Sequence, residues 1–183
     1  MAKDITVMPT DTIYGIVGSA LNPATVEKIY KLRKRALDKP MIILISSIED
    51  LNKFEIQLTE GQKKILQRIW PNPISVILPI NSQKFVYLHR GKNSLAFRMP
   101  KDESLLALLK SVGPIVAPSA NFEGEKSAET IDEARKYFGD QVDYIDGGFL
   151  KAKPSTLIKL TNDSFEILRQ GNITLDEIKK LLE

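Results

Sequence analysis

Hydrophobic and polar positions alternate between strand-like and helical patterns along the whole chain. Short apolar runs predict strands at 5–8, 41–45, 75–80, 85–88, 95–98, 115–117, 142–146, 156–160 and 165–168. Apolar residues at helical spacing follow the capping residues Asn22, Thr59, Asp102, Thr130 and Thr174. The last two threonines and Thr59 each precede Gln or Glu by three positions, which is the capping-box pattern. This mixture predicts an α/β fold, in which one domain spanning residues 1–183 contains a twisted, mixed, open sheet flanked by helices.

The most informative polar residues follow the apolar segment Ile115–Ala117. Pro118 cannot donate a hydrogen bond to a sheet, so the strand is expected to stop there. Ser119 and Asn121 then place a hydroxyl and an amide beyond the carboxyl end of a strand, where ligands bind in open α/β sheets. Composition alone favours an ordinary turn, so the role of this loop depends on which other residues lie near it.

The composition excludes several kinds of site. The sequence has no cysteine, which excludes disulfides, thiolate catalysis and cysteine-ligated metals, and its single histidine, His89, excludes a multi-histidine metal site. There is no apolar run of about 18 residues and no pattern typical of a signal peptide, so we expect a cytoplasmic protein. A net charge of +3 is compatible with anionic ligands or nucleic acid, but is too small to favour either.

Basic residues stand at the ends of several predicted elements. The run from Lys31 to Lys39 follows the first helix, where cations ordinarily complement the helix dipole. However, Arg35 and Lys39 flank a helix-to-strand junction, and Arg98 and Arg169 each end a strand. Arginine and lysine both bind phosphate and carboxylate oxygens. The common glycine-rich phosphate motifs are absent, so a nucleotide site would have to be built from these strand ends.

Eight motifs occur in an order that resembles the YrdC-like family of threonylcarbamoyl-AMP synthases. They are Pro9–Gly15, Ile29–Met41, Trp70–Pro73, Leu95–Pro100, Ala117–Asn121, Asp146–Gly148, Pro154–Thr156 and Leu168–Gly171. Together they cover nearly the whole chain, and their common order makes the resemblance specific.

The resemblance implies a positively charged cleft and a nucleotidyltransferase reaction. L-threonine, bicarbonate and ATP would give threonylcarbamoyl-AMP and pyrophosphate, with Mg²⁺ accompanying ATP and no metal ligand from a protein side chain. The product would serve N6-threonylcarbamoyladenosine formation at position 37 of tRNA. The implied partners are a tRNA threonylcarbamoyl transferase complex, which would receive the product, and tRNA or double-stranded RNA.

The matching positions imply two groups of binding residues and a catalytic set. The implied threonine-binding residues are Thr12, Arg98, Ala117 and Ser155. The implied ATP-binding residues are Arg35, Lys39, Ser94, Ser119, Asn121, Ser127 and Arg169. The catalytic set is Arg33, Arg35, Ser119 and Asn121. Because no activated nucleophile is visible, we expect positioning and electrostatic stabilisation of the α-phosphate rather than a covalent enzyme intermediate.

Three substitutions depart from the family pattern. Arg33 replaces a usual lysine, Ala36 a usual proline, and Leu44 a histidine expected near the threonine site. They leave open an alternative function, that of a YrdC-like RNA- or nucleotide-binding paralogue without synthase activity. A carbamoyl-transfer relative is a third interpretation, but it normally lies within a much larger chain.

Overall fold

The computed structural model describes residues 3–162 and 164–183, which contain nine strands and six α-helices. The strands are β1 (Ile5–Pro9), β2 (Tyr14–Ser19), β3 (Ile42–Leu44), β4 (Ile74–Pro79), β5 (Ser94–Arg98), β6 (Ile115–Val116), β7 (Asp143–Tyr144), β8 (Thr156–Leu160) and β9 (Phe165–Arg169). The helices are α1 (Pro23–Leu32), α2 (Glu60–Ile69), α3 (Val86–His89), α4 (Glu103–Val112), α5 (Ile131–Phe138) and α6 (Leu175–Leu182).

All nine strands join one open sheet in the order β7-β1-β2-β6-β3-β5-β4-β8-β9. Three neighbouring pairs are parallel, namely β1 with β7, β3 with β5, and β4 with β8. The other pairs are antiparallel. The predicted α/β fold with a mixed, open sheet is therefore confirmed.

The two faces of the sheet are covered differently, because successive side chains along a strand point to opposite faces. One face contributes residues such as Val7 and Phe97 to the main core, together with Ile29 of α1 and Leu66 of α2. On the other face, α4 packs a smaller apolar cluster against β1, β2, β3 and β6, formed by Met8, Val17, Leu44, Leu105, Leu109 and Ile115. The part of this second face that α4 leaves open carries the cavity described below.

The predicted helix starts are largely correct. Asn22 accepts hydrogen bonds from the Ala24 and Thr25 amides with Pro23 at the first helical position, and Thr59 and Thr174 form complete capping boxes. At α5 only one of the two hydrogen bonds of the predicted capping box forms. Thr130 caps the Glu133 amide, but the Glu133 carboxylate accepts from the Glu129 amide, one residue before the cap.

The strand predicted at 85–88 is wrong, because this segment forms a turn of 3-10 helix followed by α3. Phe85, Leu88 and His89 are all buried, which is the i, i+3, i+4 spacing of a helix, whereas Val86 is exposed. Phe85 packs on Phe54 with ring centroids 5.5 Å apart. Burial against this ring therefore decides the conformation of a segment that is too short for periodicity to identify.

β2 was not predicted, and the strands at 41–45, 115–117 and 142–146 were predicted too long. Two glycines give Tyr14–Ser19 a low strand propensity, but full pairing with β1 overrides it. A Cβ at Gly18 would lie 2.4 Å from Thr25 Cγ2, so this glycine lets α1 pack closely on the sheet. Segments 115–117 and 142–146 form only the two-residue strands β6 and β7.

Candidate functional site

A cavity of about 1050 Å³ opens on the face of the sheet that α4 leaves uncovered. Its floor comes from side chains of β4, β5 and β8 that share this face, such as Ile77, Ala96 and Leu157. Its walls come from the segments 33–41, 117–129 and 150–155. The cavity brings together every site residue implied by the resemblance, namely Thr12, Arg33, Arg35, Lys39, Ser94, Arg98, Ala117, Ser119, Asn121, Ser127, Ser155 and Arg169.

Arg98, the last residue of β5, forms a buried ion pair at one end of the cavity. Its Nη2 lies 2.9 Å from Asp11 Oδ1, and the side chains of Arg98 and Asp11 are only 5% and 3% exposed. Burial raises the pKa of Asp11, and the Arg98 charge offsets only part of this rise. Arg98 Nε is buried without a hydrogen-bond partner among the described residues. This end of the cavity therefore holds a fixed cation that is only partly satisfied by the protein.

Two buried hydroxyls lie at the same end. Thr12 Oγ1 is 3.2 Å from Thr10 Oγ1, and Ser155 Oγ is 2.8 Å from Ser75 Oγ on the neighbouring strand β4. Arg169, which ends β9, donates through Nη2 to the Ser155 carbonyl oxygen at 2.9 Å. Short hydroxyls beside a fixed guanidinium suit a small ligand that carries a carboxylate and further polar groups.

Ser155 owes its position to close packing against Gly171. A Cβ at Gly171 would lie 2.3 Å from the Pro154 carbonyl oxygen and 2.4 Å from the Ser155 carbonyl carbon. Such distances would force backbone atoms to move. Gly171 thus allows the segment after β9 to lie against the segment before β8 and to hold the serine in place.

Arg33 ties the Ser119–Asn121 loop to the end of α1. Its Nε donates to the Asn121 carbonyl oxygen at 3.1 Å, and Nη2 donates to Ser119 Oγ and Asn121 Oδ1 at 3.0 and 3.3 Å. The residue is 3% exposed, and this burial lowers the pKa of Arg33 to about 10. The basic run is therefore not simply a solvated helix end, because one of its members organises the loop.

The loop itself is also paired with β2. The Ile16 amide donates to the Pro118 carbonyl oxygen at 3.0 Å, and the Ala120 amide donates to the Tyr14 carbonyl oxygen at 2.9 Å. Pro118 therefore interrupts the strand without separating the chain from the sheet. Asn121 Nδ2 donates to the Phe122 and Glu125 carbonyl oxygens, which fixes the amide that faces the cavity.

Arg35 and Lys39 lie at the opposite end, on the segment between α1 and β3. Arg35 donates to the Lys39 and Pro40 carbonyl oxygens, both at 2.9 Å. Lys39 Nζ lies 2.6 Å from Glu123 Oε1, and the other oxygen of Glu123 accepts from the Ala36 amide at 2.5 Å. This end is more exposed, with 57% of the Lys39 side chain accessible.

The described lining residues include eight lysines and arginines and four acidic residues. The three cations Arg33, Arg35 and Lys39 lie on one wall, and Arg98 lies at the far end of the floor. The described residues contain no group of three His, Cys, Asp or Glu side chains that could hold a metal ion. The described part of the chain also has no helix with the length and apolar character needed to cross a membrane.

Sequence reasoning missed two carboxylates of this site, Asp11 and Glu123. Asp11 lies between two threonines just after a strand end, and this position was a usable signal. Glu123 lies 84 positions from Lys39, and their contact could not be read from spacing along the chain.

Two residues considered from the sequence lie away from the cavity. His89 is buried, and its Nδ1 accepts from the Gly91 amide. Leu44 shares the sheet face of Arg98 but packs into the cluster under α4, so it replaces the expected histidine without lining the cavity.

Comparisons with known proteins agree on one family. The family model Sua5_yciO_yrdC, described as "Telomere recombination", matches residues 2–171. The chain is 34% identical over 177 residues to a threonylcarbamoyl-AMP synthase of Pyrococcus abyssi, covering 95% of this chain but 52% of that protein. It is 33% identical over 178 residues to a putative threonylcarbamoyl-AMP synthase of Methanocaldococcus jannaschii, covering 96% of this chain and 84% of that protein.

Solved structures give the same relationship. A crystal structure of P. abyssi Sua5 complexed with L-threonine has a TM-score of 0.87 and 33% identity, covering 97% of this chain and 53% of that one. E. coli YciO, at 22% identity, has a TM-score of 0.81 over 96% of this chain and 86% of its own, and shares the fold. The chain therefore spans about half the length of its P. abyssi relative.

Proposed function

Because the chain belongs to the Sua5/YciO/YrdC family, we propose that it is an L-threonylcarbamoyladenylate synthase. This nucleotidyltransferase would convert L-threonine, bicarbonate and ATP into threonylcarbamoyl-AMP and pyrophosphate. The observation that carries the proposal is the single cavity lined by all twelve implied site residues, with a buried cation at one end and an exposed basic loop at the other.

The Arg98 end suits the amino acid. A guanidinium that lines the cavity can donate to an α-carboxylate, and Asp11 holds one of its terminal nitrogens in place. Thr12 and Ser155 offer hydroxyls for the threonine hydroxyl and amino groups, and Ala117 supplies a small side chain beside them. The L-threonine complex of the P. abyssi relative supports this assignment.

The opposite end suits the nucleotide. Arg35 and Lys39 supply cations for phosphate oxygens, while Ser94, Ser119, Asn121 and Ser127 supply neutral donors and acceptors. Arg169, the remaining implied ATP-binding residue, lines the same cavity beside Ser155 at the Arg98 end. The volume of about 1050 Å³ lies at the upper end of common ligand pockets, as a nucleotide together with an amino acid requires. We expect Mg²⁺ to arrive bound to ATP phosphate oxygens, its preferred ligands, and to neutralise part of their charge.

The reaction needs alignment more than a special nucleophile. The threonine amine first attacks the carbon of bicarbonate, and loss of water gives a carbamate. A carbamate oxygen then attacks the α-phosphorus of ATP. The bond from that phosphorus to the β-phosphate bridging oxygen breaks, and its electron pair leaves with pyrophosphate. Arg33 and Arg35 would stabilise the developing charge, and the Arg33 hydrogen bonds already hold Ser119 and Asn121 in place.

The product suits tRNA modification. We expect threonylcarbamoyl-AMP to pass to a transferase that forms N6-threonylcarbamoyladenosine at position 37 of tRNA. A binding module for RNA or nucleotide is the competing function, and it would hold its ligands without releasing pyrophosphate.

Pyrophosphate release tests the proposal. The purified protein should release pyrophosphate when ATP, L-threonine and bicarbonate are all present, and omission of any one should reduce release to background. Release that does not depend on threonine, or no release while ATP still binds, would contradict the synthase and favour the binding module.

A further inference from the structure

Glu123 occupies a position at the exposed end of the cavity that an anionic ligand could take. One carboxylate oxygen lies 2.6 Å from Lys39 Nζ, and the other accepts from the Ala36 backbone amide at 2.5 Å. An ammonium group and a free backbone N–H are the donors that commonly bind phosphate oxygens. We call this pair of donors, Lys39 Nζ and the Ala36 amide, the anion seat.

The neighbouring contacts hold the seat in shape without depending on the Glu123 side chain. Arg35 fixes the carbonyl oxygens of Lys39 and Pro40. The Glu123 backbone amide donates to the Arg33 carbonyl oxygen at 2.8 Å. The loop backbone would therefore stay in place if the Glu123 carboxylate moved away.

The Glu123 carboxylate can be displaced because its ion pair is exposed. The Lys39 and Glu123 side chains are 57% and 23% accessible, and ion pairs that water reaches in this way are weak. The hydrogen bond from Lys39 lowers the pKa of Glu123, so the carboxylate is ionised at neutral pH. In contrast, the hydrogen bonds of Arg33 are buried and are expected to persist when a ligand binds.

The seat depends on a residue that departs from the family pattern. The resemblance predicts a proline at position 36, and proline has no backbone N–H to donate. Ala36 supplies this donor. The chain therefore has both an anion donor at position 36 and the carboxylate that occupies it.

We propose that Glu123 is a positioning residue which fills the anion seat when nucleotide is absent and yields it to the terminal phosphates of ATP or to pyrophosphate. This inference rests on the proposed function, because it takes nucleotide as the ligand. Return of Glu123 to the seat competes with pyrophosphate and so favours its release after the reaction.

Zero-length crosslinking tests the displacement directly. A carbodiimide should join Glu123 to Lys39 in the free protein, since their charged atoms lie 2.6 Å apart, and peptide mass spectrometry should detect the bond. Saturating pyrophosphate or ATP should suppress this crosslink several-fold, whereas sodium chloride at equal ionic strength should not. The Glu60–Lys63 pair of α2, at 2.7 Å and outside the cavity, provides an internal control that should not change.

Calorimetry with inorganic pyrophosphate gives a second readout. Glu123→Gln should bind pyrophosphate about fivefold more tightly than wild type, because no ionised carboxylate then competes for the seat. Glu125→Gln removes the same charge from the same wall and should have less than half of that effect. In an Ala36→Pro background, the gain from Glu123→Gln should shrink, because one of the two donors is missing.

The outcomes separate this inference from the proposed function. If ATP binds but leaves the Glu123–Lys39 crosslink unchanged, or if the two glutamine variants behave alike, the seat is wrong while the synthase proposal stands. If neither ATP nor pyrophosphate binds to wild type or to any variant, both proposals are wrong.

Discussion

At the Arg98 end of the cavity, the charged side chains of Arg98 and Asp11 are 5% and 3% exposed, whereas at the opposite end Lys39 is 57% exposed. The first end is built from residues at strand ends and is fixed by buried contacts. The second is built on a connecting segment whose cation is held by an exposed carboxylate. A fixed end suits selection of a small substrate, and an exposed end suits a product that must leave, as proposed here for pyrophosphate.

The largest expected effect concerns the fixed end. Gly171→Ala should lower the free energy of unfolding by roughly 3 kcal/mol, because its Cβ would lie 2.3 Å from the Pro154 carbonyl oxygen and only a backbone shift can relieve the clash. Urea unfolding measures this loss. Gly113→Ala is the matched control, because a Cβ at position 113 would have no atom of the described residues within 4 Å, although the φ angle of Gly113 is +82°. This control should cost about 1 kcal/mol, and equal losses would contradict the steric explanation.

The next-largest effect on stability is expected at Arg33, which lies between the two ends of the cavity. Arg33→Met should cost about 2 kcal/mol of stability, because the Asn121 carbonyl and the Ser119 hydroxyl lose their buried donors. Arg33→Lys should recover little of this loss, since a single ammonium cannot replace a planar fork. Lys31→Met, an exposed site on the last turn of α1, should change stability by less than about 0.5 kcal/mol. Wild-type stability in Arg33→Lys would show that charge alone is sufficient.

The smallest expected effect concerns the buried carboxylate of Asp11 at the fixed end, and it depends on pH. Because the pKa of Asp11 is raised above 3.8, the folded state binds more protons than the unfolded state in the window just above that value. Wild type should therefore lose stability relative to Asp11→Asn as pH rises from 3.8 through the raised pKa. Urea unfolding of both proteins across this range measures the difference. A difference that grows in favour of wild type with rising pH would contradict a desolvated Asp11.

The sequence predicted the mixed α/β sheet, because strand patterns and helix caps are local features, and the residues implied by the resemblance line one cavity. It did not predict the hydrogen bonds by which Arg33 holds the Ser119–Asn121 loop, because Asn121 lies 88 positions away along the chain. Glu123 was missed for the same reason. The strand prediction for segment 85–88 failed for a different reason, since burial of Phe85 against Phe54 decided the conformation of the segment.

The measurement that most directly tests the division of the cavity is a crossed titration of two variants with two ligands, each ligand measured alone by calorimetry. Thr12→Val should weaken L-threonine binding about tenfold and change ATP binding less than about twofold, because only the fixed end loses a hydroxyl. Lys39→Met should show the reverse. If each variant weakens both ligands to the same extent, the two ends do not bind different substrates and the account is contradicted.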